Sequence, residues 1–271
     1  MIGKSPSPED NSWEGNGGAL GALLLTTVLV AACDKNTVQV LPADSLLASR
    51  IKFFNFGVNA PGVNFYSDAI KLTAIQSGTG SEATTGVGYG SVGNGGAYSQ
   101  IAPGSHTLTG RIAATTDKDL SIATVTATIA DGKFYSYYMC GFYNTTAKIS
   151  DAFVLEDTYP VEIDWSVALV RFVHTIPNAS PLTLYATNTL THDTLPVGGA
   201  VAYKSGGAFT ALPPGVYDLF ARYTDSTTNK VTRTGVSLFP GRVYTVGARG
   251  DITITSTTAT NRPFLDNTTN R

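Results

Sequence analysis

The feature that most constrains this chain is that it repeats itself. Lys52-Phe53-Phe54-Asn55, through Asn59-Ala60 to Phe65-Tyr66, aligns without gaps on Arg171-Phe172-Val173-His174, through Asn178-Ala179 to Leu184-Tyr185. Gly95-Gly96-Ala97-Tyr98, through Pro103-Gly104 to Leu108 and Arg111, aligns on Gly206-Gly207-Ala208-Phe209, through Pro214-Gly215 to Leu219 and Arg222. A third block sets Gly132-Lys133-Phe134-Tyr135 against Gly241-Arg242-Val243-Tyr244. Three collinear blocks with a nearly constant offset mean a duplication, so both halves must satisfy one fold.

Within each copy the pattern has period two. Tyr217, Leu219, Ala221 and Tyr223 share one face while Asp218 and Arg222 take the other; Ala123, Val125, Ala127 and Ile129 alternate with Thr124, Thr126 and Thr128. Such alternation marks strands with one buried and one wet face. Turn residues fall between them at Ala60-Pro61-Gly62, Ala102-Pro103-Gly104, Asp131-Gly132, Pro213-Pro214-Gly215 and Pro240-Gly241. Six or seven short strands per copy predict an all-β chain of two tandem immunoglobulin-like antiparallel β-sandwich domains. Composition agrees, since 42% hydrophobic residues supply two cores while only 14% are charged. The first repeat is placed at 49–157, a linker at 158–166, the second repeat at 167–255, and a polar tail, edge strand or disordered, at 256–271. Trp165, inside that short linker, is expected to fix the angle between the domains.

Ahead of the first copy, Ala19 to Ala32 is an uncharged apolar run, short for a bilayer span but right for the core of a signal peptide. It ends in Val30-Ala31-Ala32-Cys33 and turns polar at once with Asp34-Lys35-Asn36, which resembles a lipobox. That resemblance implies a bacterial lipoprotein signal peptide at 1–32, a diacylglyceryl group on Cys33 and a tether at 33–48. The leader departs from the usual basic start, with Lys4 against Glu9, Asp10 and Glu14. Two or three acyl chains would hold the protein stably on a membrane where one would not. The implied location is the bacterial cell envelope, at the outer membrane or cell surface, although Asp34 follows the enterobacterial pattern for inner-membrane retention.

Arg171-Phe172-Val173-His174, Pro177-Asn178-Ala179-Ser180-Pro181 and Leu184-Tyr185 resemble the opening motif of domain-of-unknown-function family 4397, roughly R-x-x-H-x-x-P-D-A-P-x-V-D-V-Y. Leu212 to Tyr217, Pro240 to Val246 and Val154-Leu155-Glu156-Asp157, an acidic strand that closes one copy before the next opens, resemble it too. The first copy carries Asn55 where the second has His174, both carry Asn where the family has Asp, and Ser180 replaces the second proline. The resemblance implies an envelope or secreted sandwich module and brings no activity.

No constellation of reactive groups stands out. The formal charge of -2 resides in the first 32 residues, so no basic face is left for a phosphate backbone, and no nucleic-acid partner is expected. Gly88-Tyr89-Gly90-Ser91-Val92-Gly93 fits G-x-G-x-x-G but has no helix to follow it, so it reads as a flexible loop. His106, His174 and His192 lack metal-ligand spacing; His174 occupies the slot of Asn55, and His106 that of Tyr217. Cys140 lies in a strand-like stretch with no base to make a thiolate and reads as a buried free thiol. The matched bases, Lys52 with Arg171 and Arg111 with Arg222, are expected to satisfy a neighbouring carboxylate or carbonyl; Glu156 and Asp157 read as edge-strand or interdomain charges. The expectation is therefore a non-enzymatic envelope lipoprotein without cofactor or metal, held to the membrane by lipid, acting as a spacer or as a module for a protein or glycan ligand. A carbohydrate-active accessory or hydrolytic protein using exposed aromatics of Phe134 to Tyr143 is the alternative, and an assembly component associating through its tail or edge strands a third.

Overall fold

The computed structural model describes residues 49–75 and 78–271. The signal peptide, Val30, Ala31, Ala32, Cys33 and the tether lie outside the described residues. In chain order the strands of the first repeat are β1 (Ser49–Asn55), β2 (Val63–Ser67), β3 (Ile70–Lys71), β4 (Ser91–Val92), β5 (Ser99–Ile101), β6 (Gly104–Ile112), β7 (Ser121–Ile129), β8 (Phe134–Asn144) and β9 (Ile149–Glu156). Those of the second are β10 (Ala168–His174), β11 (Leu182–Asn188), β12 (Thr194–Val201), β13 (Ser205–Gly206), β14 (Thr210–Leu212), β15 (Gly215–Tyr223), β16 (Val231–Leu238), β17 (Val243–Arg249) and β18 (Phe264–Thr269).

The strands form four sheets, two per repeat, wired identically. One sheet of the first repeat runs β4-β1-β8-β9 with β5 also on β1, and its counterpart runs β13-β10-β17-β18 with β14 also on β10. The other sheets run β3-β2-β6-β7 and β12-β11-β15-β16. This is the expected pair of tandem β-sandwiches, with one difference in pairing: β1 lies parallel to β8, and β10 parallel to β17, inside otherwise antiparallel sheets.

Each sandwich closes on its own core. Ile51, Phe53, Phe65, Leu108, Tyr137 and Met139 fill the first, and Val170, Phe172, Leu184, Leu219, Val246 and Leu265 the second. The opposite faces of β1 and β8 are also buried: Phe54, Tyr138 and Cys140, with Phe56 and Phe153, form a third cluster that takes in Val173 of the second repeat. Those sheets therefore pack face to face, and strands covered on both sides read as near-continuous apolar runs, as Ile51 to Phe56 does.

Two expectations shift. The second sandwich does not stop at 255, because β18 pairs with β17 along its length and carries Leu265 into the core. What reads as a polar tail is an edge strand whose few apolar residues are its first two. Trp165 does not wedge the domains, since its side chain is 80% exposed; the facing sheets fix the angle instead.

Candidate functional site

The chemistry of the molecule collects where the two inner sheets meet. Asp157, at the end of β9, receives Arg171 Nη2 of β10, Ser136 Oγ of β8 (2.9 Å) and Tyr98 OH (2.5 Å). Arg171 also donates Nη1 to the Glu156 carbonyl (3.1 Å) and Nε to Thr245 Oγ1 (3.1 Å), so both charges are buried and saturated. Lys52, the residue matched to Arg171, reaches the other way, donating Nζ to the Thr269 carbonyl (2.7 Å). Each cation thus caps the closing strand of the opposite repeat, and each lies over an aromatic ring at matched positions, Lys52 over Tyr98 and Arg171 over Phe209. Reciprocal contacts of this kind mark a two-fold relation between the copies. Burial lowers the Lys52 ammonium to about 8 against the opposing pull of Asp157, and burial together with Asp157 pushes the Tyr98 phenol up. Lys52 and Arg171 are thus structural links between repeats rather than strand charges within one.

The two-fold is imperfect at the acid. Asn270 stands where Asp157 does, since both accept position in the same backbone pattern: Asp157 N donates to the Phe134 carbonyl and Asn270 N to that of Val243 (each 2.7 Å). Asn270 Nδ2 meets Thr245 as Asp157 meets Ser136, but Phe209 lacks the hydroxyl that Tyr98 gives to Asp157. Asn270 Oδ1 is consequently buried with no partner, as is Tyr159 OH. Both residues line a cleft of about 960 Å³ with Tyr98, Phe134, Asp157 and Arg271.

Elsewhere the candidate residues have structural duties. Asn55 accepts the Gly57 N–H and donates to the Pro61 carbonyl (both 3.3 Å). His174 does the same, its Nδ1 taking the Ile176 N–H (3.2 Å) and its Nε2 facing the Ser180 carbonyl (3.3 Å), which requires the neutral ring; burial drives its pKa down to about 4. His106 Nε2 and Tyr217 OH share a second slot, contacting the carbonyls of Ala102 and Pro213 four residues back (2.8 and 2.7 Å). His192 sits in the turn between β11 and β12, and no cluster of three metal-ligating side chains occurs among the described residues. Cys140 is buried, 3.6 Å from Tyr203 OH across the junction, and burial pushes its thiol up to about 12, away from nucleophilic use.

Arg111 and Arg222 lie on the outer sheets over matched rings, Tyr66 and Tyr185, and bond a carbonyl (Asp68 O, 2.7 Å) and an amide oxygen (Asn229 Oδ1, 2.8 Å) rather than a carboxylate. The G-x-G-x-x-G loop is a docking element, not a free loop: a Cβ at Gly90 would lie 2.7 Å from the Arg249 guanidinium, which also lies over the Tyr89 ring. Tyr135, Tyr137 and Tyr138 are buried, which leaves Phe142 as the exposed ring of the strand considered for sugar stacking.

Among family models, the one described as Domain of unknown function (DUF4397) matches the second sandwich. It covers residues 168–271. That span includes β18, in agreement with the pairing that carries the domain beyond 255. Among curated proteins nothing matches the chain. The residues that sequence reasoning left unused are Tyr98 and Asn270. The duplication held the clue to the second, because a closing strand at Val154 to Asp157 demands a counterpart in the other copy.

Proposed function

We propose that this chain is a non-enzymatic, lipid-anchored protein of the bacterial cell envelope, in which the two sandwiches act as one stiff head. The observation that carries this reading is how the charges at the junction are tied up: Asp157 is bonded by Arg171, Ser136 and Tyr98, and Lys52 by the Thr269 carbonyl of the other repeat, so none of the three is left as a free base or nucleophile. A head of this build suits a spacer that holds a surface away from its anchor. The lipid attachment rests on Val30-Ala31-Ala32-Cys33. Mass analysis of protein purified from a bacterial membrane should give a chain beginning at Cys33 with a diacylglyceryl adduct, and Cys33→Ser should release it to the soluble fraction. An unmodified Cys33 in membrane-borne protein would end this reading.

A second reading is favoured by the orphaned Asn270 Oδ1 beside Tyr159 and Phe134. The cleft would take a small neutral ligand rich in hydrogen-bond donors, with glycan units among the first to try, because a buried acceptor without a partner costs stability until one arrives. A panel of mono- and disaccharides and short peptides should contain a member that raises Tm of the protein but not of Asn270→Leu; a panel that shifts neither removes the cleft from consideration.

A further inference from the structure

The two ends of the head differ in what they expose. The end where the chain enters is defined by a continuous series of bonds: Ser49 Oγ to the Ala130 carbonyl (2.5 Å), Arg50 N to the Lys133 carbonyl (2.9 Å), Gly241 N to the Val167 carbonyl (2.8 Å), and an Arg271 Nη1 bond to the Val161 carbonyl (2.7 Å). The register carries this rim into the outer sheet of the second sandwich, where Gly215 pairs with Leu238 and Thr189 N bonds the Val216 carbonyl. Leu190, Val161, Trp165 and Phe239, exposed by 85, 82, 80 and 62%, all belong to this rim, and Val216 lies beside them. They are four of the five most exposed large hydrophobic side chains among the described residues; at the far end Phe142 of β8 and Ile149 of β9 are less exposed.

Trp165 is held rather than loose. Its ring lies against the backbone of Gly241, where a Cβ would collide with Cε3, and Gly241 also has a φ of +66°, so only glycine fits the site on both counts. A tryptophan pinned on one face and open to solvent on the other suits the boundary between water and lipid.

We propose that this rim rests on the bilayer that holds Cys33, with Trp165, Val161, Phe239 and Leu190 in the interfacial layer. The inference depends on the lipid-anchor reading above. Ser49 follows Cys33 by sixteen positions, so the head begins within about 55 Å of the anchor whatever path those residues take. Lipid is favoured over a protein partner because the chain enters at this rim and the anchor supplies a bilayer at high effective concentration. The rim's charges nearly balance, Arg50, Arg242 and Arg271 against Asp131, Glu162, Asp164 and, in the turn that carries Leu190, Asp193, while Lys133 and Glu156 pair with each other at 3.3 Å. Contact is therefore led by the apolar side chains and needs no anionic lipid.

The chain has two tryptophans, so full-length Trp13→Phe leaves Trp165 as the sole emitter whether or not the leader is cleaved. Lipid-bearing protein is purified from a bacterial host and reconstituted into phosphatidylcholine vesicles with and without brominated acyl chains. The expected result is blue-shifted Trp165 emission that brominated lipid quenches, equally so when phosphatidylglycerol is added. Adding Val161→Asp and Phe239→Asp should abolish the quenching while the protein stays on the vesicles. Vesicle-bound, lipidated protein with unquenched, water-like emission overturns the docking and leaves the anchor standing. Protein that carries no lipid on Cys33 and does not sediment with vesicles overturns the anchor, and the docking with it.

Discussion

Where the first repeat presents Phe54 and Tyr138 to the junction, the second presents Val173 and Gly247 at the matched positions. The same contrast recurs nearby: Phe56 of the first repeat lies 2.8 Å from where a Cβ on Gly247 would be, and Leu155 lies 2.7 Å from the corresponding point on Gly206. One sheet is bulky and the other hollow. Two faces like the first would collide, and two like the second would leave voids, so the copies fit each other better than either fits itself. The matched halves thus meet in a near-symmetric joint whose partners differ in side-chain size but share the reciprocal cations, Lys52 and Arg171.

The deepest test of that comparison is to remove one charge of the asymmetric pair. Arg171→Ala leaves Asp157 buried without its cation, and Asp157→Ala does the converse; each should cost about 3–5 kcal/mol in chemical denaturation. Lys52→Ala should cost less, because its lost partner is a neutral carbonyl. Equal losses at the two matched positions would show that the copies contribute alike.

The Asn55 and His174 slot separates the copies by pH. The His174 pKa is depressed from 6.5 to about 4 by burial, so the folded state resists a proton that the unfolded chain accepts. Its stabilising contribution is full above pH 6.5 and falls as the pH drops toward 4, by up to about 3 kcal/mol in all. His174→Asn, which copies the first repeat, should flatten Tm over that interval.

Much of the fold was legible. Alternation gave the strands, and the offset of the matched blocks gave the number of domains. Ile51 to Phe56 carries apolar residues on both faces, the mark of a strand covered twice, but nothing local says that its second cover is the other repeat. The pairing of Arg171 with Asp157 was hidden for a related reason: the matched bases looked like duties within a copy, whereas each is discharged across the junction. The tail could be read as either an edge strand or disorder, because Asp266 to Thr269 is polar and sits on an edge, where one face needs no apolar side chain; only its pairing with β17 decides for the strand. The proposed anchor rests on sequence beyond the described residues, whereas the cleft is visible only once the fold brings Asn270 and Tyr159 into one lining.

Smaller effects sharpen the contrast. Val173→Phe puts the first repeat's bulk on the second repeat's face and should cost about 1–3 kcal/mol by overpacking, against which Phe54→Val in the same molecule should restore part of the loss. Least of all, Asn55→His places in the first repeat the ring that the second tolerates. It should change stability at pH 8 by under about 1 kcal/mol, while giving the first repeat the acid sensitivity of His174, read as a steeper fall of Tm below pH 6.5.

Scanning calorimetry of the whole protein bears most directly on whether the two sandwiches are one body. A joint closed by Phe54, Tyr138, Val173 and the Arg171–Asp157 pair makes each repeat depend on the other, so a single transition is expected, with calorimetric and van't Hoff enthalpies in agreement. Two separated transitions, with Arg171→Ala shifting only one of them, would contradict it.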